Sequence, residues 1–223
     1  MQDEFKKSIK SLWFPLVWEA LFVASYLFIW LRHDTRHQNL TLYFMFLFYV
    51  GIIVYYHKSF SFREFLKQFT KIKTFLLPAA AAGICIWLIH IAAGKLIPLI
   101  PFSQPELRLP MSYASALLDE VIYALTILLL QPVAEELFFR KGLIGAAGRK
   151  TLFFAICASL ILSALSWSVT PCRMAEALFV AAPMVLFYCL TKNVYVTILV
   201  HVIFNIVINV IDRVYDFARI WYS

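Results

Sequence analysis

Charge is what this sequence has least of. Asp, Glu, Lys and Arg together make up 15% of its 223 residues, where a soluble domain carries about a quarter. The hydrophobic share is 62% and the mean hydropathy +0.79, which excludes a soluble globular domain and implies a chain that lives in lipid. The net charge of +7 comes from short basic clusters between apolar runs. They form no basic stripe, which argues against a nucleic-acid partner and suits loops that face anionic lipid. Cysteine is scarce as well. Cys85, Cys157, Cys172 and Cys189 lie in or near apolar runs, no pair has the C-x-x-C spacing of a zinc or redox centre, and they read as small buried hydrophobes. The run at 12–31 is too long for a signal-peptide core and lacks an A-x-A cleavage site, so it reads as a membrane segment. The final Ile220-Trp221-Tyr222-Ser223 is not a prenylation box. Without internal repeats, low-complexity tracts or a dividing linker, residues 1–223 are expected to form a single integral membrane domain.

What is present is a series of apolar runs. Windows of about 20 residues, the length that crosses the hydrocarbon core, fall at 12–31, 40–56, 74–98, 113–139, 151–170, 174–190 and 194–211. The runs lack the short alternation of barrel strands, and lipid leaves unpaired backbone groups unsatisfied, so each is expected to be a helix. The predicted fold is all-α, a polytopic bundle of about seven spans. With that count, thirteen of the twenty Lys and Arg fall on the side of the N-terminus and seven on the other, which places the N-terminus and the loops near 58–73 and 140–150 in the cytoplasm. Ser59 to Lys73 interleaves Phe60, Phe62, Phe65, Leu66 and Phe69 with bases, the pattern of an amphipathic helix in the cytoplasmic interface.

Ionisable groups inside spans are costly, about 2.5 to 3.5 kcal/mol even on lenient insertion scales, and mark function by default. They occur here at Glu19, His90, the run Gln131 to Arg140, and His201 with Asn205. Glu19 and His90 are lone groups on apolar helices and read as structural contacts or snorkelling positions. The run Gln131-Pro132-Val133-Ala134-Glu135-Glu136-Leu137-Phe138-Phe139-Arg140 differs. Adjacent glutamates stand about 100° apart on a helix, and Glu136 precedes Arg140 in the favourable i,i+4 order. Glu136 can thus be neutralised while Glu135 points elsewhere. A carboxyl held in a poorly solvated cavity suits a general base that must deprotonate water near pH 7. Pro132 removes a backbone hydrogen bond and opens the helix locally. The competing reading is an interfacial salt bridge at the end of a span.

His201 and Asn205 share a helix face, where an imidazole and a carboxamide position water or donate to an oxyanion, or else tie two helices together. There is no H-E-x-x-H, and one His with two acids at unrelated spacing falls short of a metal site. No cofactor is implied. A hairpin turning at 145–151, where Gly142, Gly145 and Gly148 break the pattern, would set Trp167 opposite Glu135 and bring three helices to one cavity.

Glu135-Glu136-Leu137-Phe138-Phe139-Arg140 followed by His201-Val202-Ile203-Phe204-Asn205 resembles the signature of the CPBP intramembrane proteases, the CAAX protease and bacteriocin-processing or Abi family. That signature reads EExxxR, FxxxH and HxxxN or HxxxD on successive helices. Two of its three motifs match in order, and the resemblance covers about residues 113–211. It implies a glutamate-dependent endopeptidase in which Glu135 activates water, Glu136 and Arg140 hold the site, and His201 with Asn205 stabilises the oxyanion. The second motif departs from the pattern, with Ser163 at its Phe and Trp167 at its His. An indole N–H donates one hydrogen bond and accepts no proton. General acid or base assistance is worth about 10²- to 10⁴-fold.

Three readings follow. The first is a CPBP-type endopeptidase in peptide or protein maturation, cutting a peptide or protein substrate that enters from the cytoplasmic side or the bilayer. The second is a catalytically impaired relative that scaffolds or regulates a membrane-protein partner. The third is a proton-relay transporter, disfavoured by the absence of inverted repeats. A short chain without soluble extensions suits a bacterial plasma membrane.

Overall fold

In the computed structural model, residues 2–32, 38–99, 117–167 and 171–222 are described, and among them every regular element is a helix. Helix α1 runs Gln2–Arg32 and α2 Gln38–Tyr55. After a single turn at His57–Ser59 comes the short α3, Phe62–Gln68. A wide turn at Ile72–Leu76 leads into α4, Leu77–Leu96. The stretch Leu117–Ile144 is one continuous rod assembled from α5 (Leu117–Leu125), a π-helical turn at Thr126–Leu130, α6 (Gln131–Glu135) and a second π-helical stretch at Glu136–Ile144. Helices α7 (Leu152–Trp167), α8 (Pro171–Thr191) and α9 (Val194–Tyr222) follow.

The expected helices are thus present, and their lengths show which of them suffice as membrane spans. Ile72–Leu96, Leu117–Ile144 and Pro171–Thr191 are long and apolar enough to cross a bilayer. Thr41–Tyr55 with His57–Gln68 adds a fourth if that pair, bent by 61°, is one broken span. The apolar stretches Leu12–Ser25, Leu152–Ser166 and Val194–Val210 are shorter than the roughly 20 residues a straight crossing needs. Length and composition therefore support three or four spans among the described residues, against the seven expected.

The bundle is apolar outside and polar within. Phe28, Leu88, Phe153, Phe154 and Leu190 lie on the surface while Glu19, Glu120, Glu135, Glu136, Arg140, His201 and Asn205 are buried. Lipid on the outside and hydrogen-bonded partners inside account for both. The Leu117–Ile144 rod is central. On one flank α1 and α2 pack against it through Phe22, Phe48, Tyr49, Phe138 and Phe139. On the other, Leu137 and Ile144 meet Val185 of α8 and Ile198 of α9, and α4 joins α8 and α9 through Ala82, Ile86, Met184 and Val200.

Two glycines set these approaches. A Cβ on Gly51 would stand 2.8 Å from Nε1 of Trp18; its absence lets the indole lie on α2 and donate to the Phe48 carbonyl at 3.1 Å. Gly142, expected to break the rod, lies inside it, where the missing side chain admits the Tyr56 hydroxyl. The chain turns only beyond Ile144, then enters α7 at Leu152. Near the bend of α2 into α3, Ser61 accepts from the Glu64 N–H at the start of α3. Phe65 turns inward against Phe75 and Tyr195, and Phe62, Leu66, Phe69 and Ile72 are exposed, an apolar face of the kind expected of an interfacial helix.

Candidate functional site

The site grows out of the break that Pro132 makes in the central rod. In the π-helical turn the N–H of Gln131 reaches the carbonyl of Thr126, five residues back. The next bond of that ladder would run from residue 132 to Ile127, and proline has no N–H to give. Asn205 of α9 supplies the missing donor: its Nδ2 bonds the Ile127 carbonyl at 2.9 Å. The buried Oδ1 of the same amide has no partner. Asn205 therefore couples α9 to the opened turn.

One turn later the two glutamates diverge. Glu136 is fully buried, with Oε1 3.1 Å from Nδ1 of His201 and Oε2 3.3 Å from Nε of Arg140. The arginine contact lacks the alignment of a hydrogen bond and is held by charge, while Nη1 of Arg140 donates to Ser163 Oγ of α7 at 3.1 Å. That last bond fixes the register of the hairpin between the rod and α7. Breaking such a buried pair from one side leaves an uncompensated charge. The carboxylate accepts, so His201 presents Nδ1–H to it.

Glu135 faces the α2 side. Its Oε1 accepts from Gln131 Nε2 at 2.8 Å and from the Tyr49 hydroxyl at 3.2 Å, both neutral donors. The charges of His201 and Arg140 act on it from further off. Glu135 is therefore a buried carboxyl without a cation in hydrogen-bond contact among the described residues, beside a neighbour that has two.

Of the residues singled out in the sequence, the structure brings Glu136, Arg140 and His201 into direct contact, holds Glu135 on the adjoining face, and turns Asn205 toward the backbone. His90 sits 3.9 Å from Glu176, which also pairs with Arg173, and its ring meets Phe204 edge-on. Trp167 ends α7, and its side chain lies outside the described residues, as do residues 168–170. Sequence reading missed Tyr49, and it named Ser163 and Glu19 without their partners. Glu19 of α1 is buried, with Oε1 2.6 Å from Ser166 Oγ, and it lies within electrostatic reach of Glu135. Asp119, which accepts from Tyr43 at 2.7 Å, and the buried Glu120 were missed too; a Leu-Leu-Asp-Glu start to an apolar helix was their signal. No group of three or more His, Cys, Asp or Glu among the described residues is placed to hold a metal ion.

Residues 117–207 match the family model described as type II CAAX prenyl endopeptidase Rce1-like. The match begins with α5 and ends within α9, so it contains both glutamates, Arg140, His201 and Asn205 but neither α1 nor α2. Comparison with curated proteins and with solved structures gives no match. Residues 117–207 are thus similar to a protease-family model, and they lie within a helical bundle that has three or four helices long and apolar enough to cross a membrane among its described residues.

Proposed function

We propose that this protein is an intramembrane endopeptidase in which Glu135 activates the attacking water. The observation that carries the reading is the unequal treatment of adjacent glutamates. Glu136 is neutralised by Arg140 and His201 and serves to build the site. Glu135 is held only by the neutral Gln131 and Tyr49, so its remaining lone pairs are free to take a proton.

In this mechanism a water between Glu135 and the scissile carbonyl gives its proton to the Glu135 carboxylate as its oxygen bonds to the carbonyl carbon. The tetrahedral oxyanion is met by His201 and by the second Nδ2 hydrogen of Asn205. Collapse expels the amine, which takes the proton back from Glu135. Burial within the bundle excludes bulk water and strengthens each of these interactions. The N-terminus is taken as cytoplasmic on the distribution of Lys and Arg.

The name of the matching family makes a prenylated C-terminal peptide the first substrate to try. Full-length protein in liposomes is incubated with a farnesylated peptide ending in a Cys-a-a-X box. The expected result is release of the C-terminal tripeptide, lowered about 10²- to 10⁴-fold in Glu135→Ala. Turnover that survives in this variant overturns the glutamate mechanism. Trp167 in the sequence position of a motif histidine supports a second reading, an impaired relative that binds and regulates a membrane-protein partner. A biological effect that persists in Glu135→Ala, with no cleavage by Trp167→His, favours that reading.

A further inference from the structure

Glu19 lies outside the segment that matches the protease family, yet it is buried against the catalytic face. Ser166 of α7 contacts it, and Tyr49 of α2 and Glu135 of the central rod lie within its electrostatic reach. None of these carries a positive charge. One oxygen of Glu19 contacts Ser166, and the other, Oε2, is buried without a partner.

Hydrogen counting at Ser166 bears on the state of this carboxyl, as does the unpartnered Oε2. Ser166 Oγ is 2.9 Å from the Leu162 carbonyl and 2.6 Å from Glu19 Oε1. A serine hydroxyl owns a single hydrogen, and a backbone carbonyl can only accept. If that hydrogen goes to Leu162, the short contact to Glu19 is a hydrogen bond only when the glutamate supplies the proton. A separation of 2.6 Å fits an O–H donor of this kind. Glu135 shows the opposite pattern. Its Oε1 accepts from two donors, Gln131 and Tyr49, as an ionised carboxylate does. Two carboxyls that share one dry site do not both ionise.

We infer that Glu19 is a protonated, neutral carboxylic acid in the folded protein at neutral pH, and that by staying neutral it leaves Glu135 as the ionised carboxylate of the pair. Glu19 is thus a positioning residue for the general base, contributed by a helix outside the Rce1-like segment. Its role toward catalysis rests on the proposed function of Glu135, while its protonation does not.

Infrared difference spectroscopy of the full-length protein in lipid at pH 7 tests this directly. The wild type is expected to show the carbonyl-stretch band of a protonated carboxyl, with the small downshift in deuterium oxide that marks an exchangeable proton. That band is expected to vanish in Glu19→Gln and to remain in Glu135→Gln, where a carboxylate band is lost instead. Should Glu19→Gln fail to fold, Ser166→Ala carries the test, since removal of the hydroxyl must move the band. A wild type without the band, a band lost only in Glu135→Gln, or a band unmoved in Ser166→Ala overturns the inference. A band assigned to Glu19 in a protein that cleaves no peptide upholds the inference and counts against the peptidase alone.

Discussion

Glu135 and Glu136 are neighbours in the chain, yet the bundle gives them opposite surroundings. The face of Glu136 is an ionic cluster with Arg140 and His201, closed off by Ser163. The face of Glu135 holds a second carboxyl, Glu19, with the hydroxyls of Tyr49 and Ser166 and the amide of Gln131. The turn of about 100° between consecutive helical residues is enough to send one acid toward α9 and the other toward α1 and α2. Chemistry of the same kind is thereby divided into a part that holds the site and a part left able to react. A buried charge is tolerable only when paired, so the first face has little freedom to change its protonation, and the general base we propose lies on the second.

The contrast can be broken most severely on its ionic side. Arg140→Ala is expected to destabilise the protein by about 3 to 5 kcal/mol, because Glu136 keeps the His201 contact but loses the guanidinium charge beside it in a dry interior. Thermal unfolding in detergent measures it, and a loss below 1 kcal/mol (a rough threshold at the level of a surface pair) would show that the pair does not build the site. Asn205→Leu strands the Ile127 carbonyl that Pro132 cannot serve and is expected to cost about 1 to 3 kcal/mol. Hydrogen exchange should rise most across the Thr126–Leu130 turn; exchange unchanged there would disconnect Asn205 from the break. The smallest effect belongs to the neutral side. Tyr49→Phe removes one hydrogen bond to Glu135 and should cost about 0.5 to 1.5 kcal/mol, with little change in unfolding temperature. A collapse of the fold in this variant would mean that Tyr49 supports α2 in ways beyond that bond.

Much of the architecture was legible because lipid imposes a simple rule. Runs of apolar residues with few charges must be helices, and the helices of the described residues fall where the runs do. Their adequacy as spans was less legible. Among the described residues the apolar windows of α1, α7 and α9 are short, and α3 bends away from α2 at a point where the sequence shows only a change from aromatic to basic. The break at Pro132 was readable from the missing N–H. That Asn205 repairs it was not, since the spacing of two helices far apart in the chain says nothing of which carbonyl faces which amide. Glu19 reads in the sequence as either a structural contact or a snorkelling position for the same reason. A single acid in an apolar run is indistinguishable from a snorkelling residue until the packing of Trp18 on α2 fixes the face that α1 presents.

By itself the sequence determined the solvent of this protein, the helical class that this solvent requires, and the pairing of Glu136 with Arg140, because composition, periodicity and i,i+4 spacing are local properties of the chain. Only the tertiary structure decided that His201 joins that pair, that Asn205 serves the opened turn, and that Glu19 stands beside Glu135. Those depend on how separate helices rotate against one another, and rotation is set by packing at many contacts, among them the space left at Gly51 and Gly142.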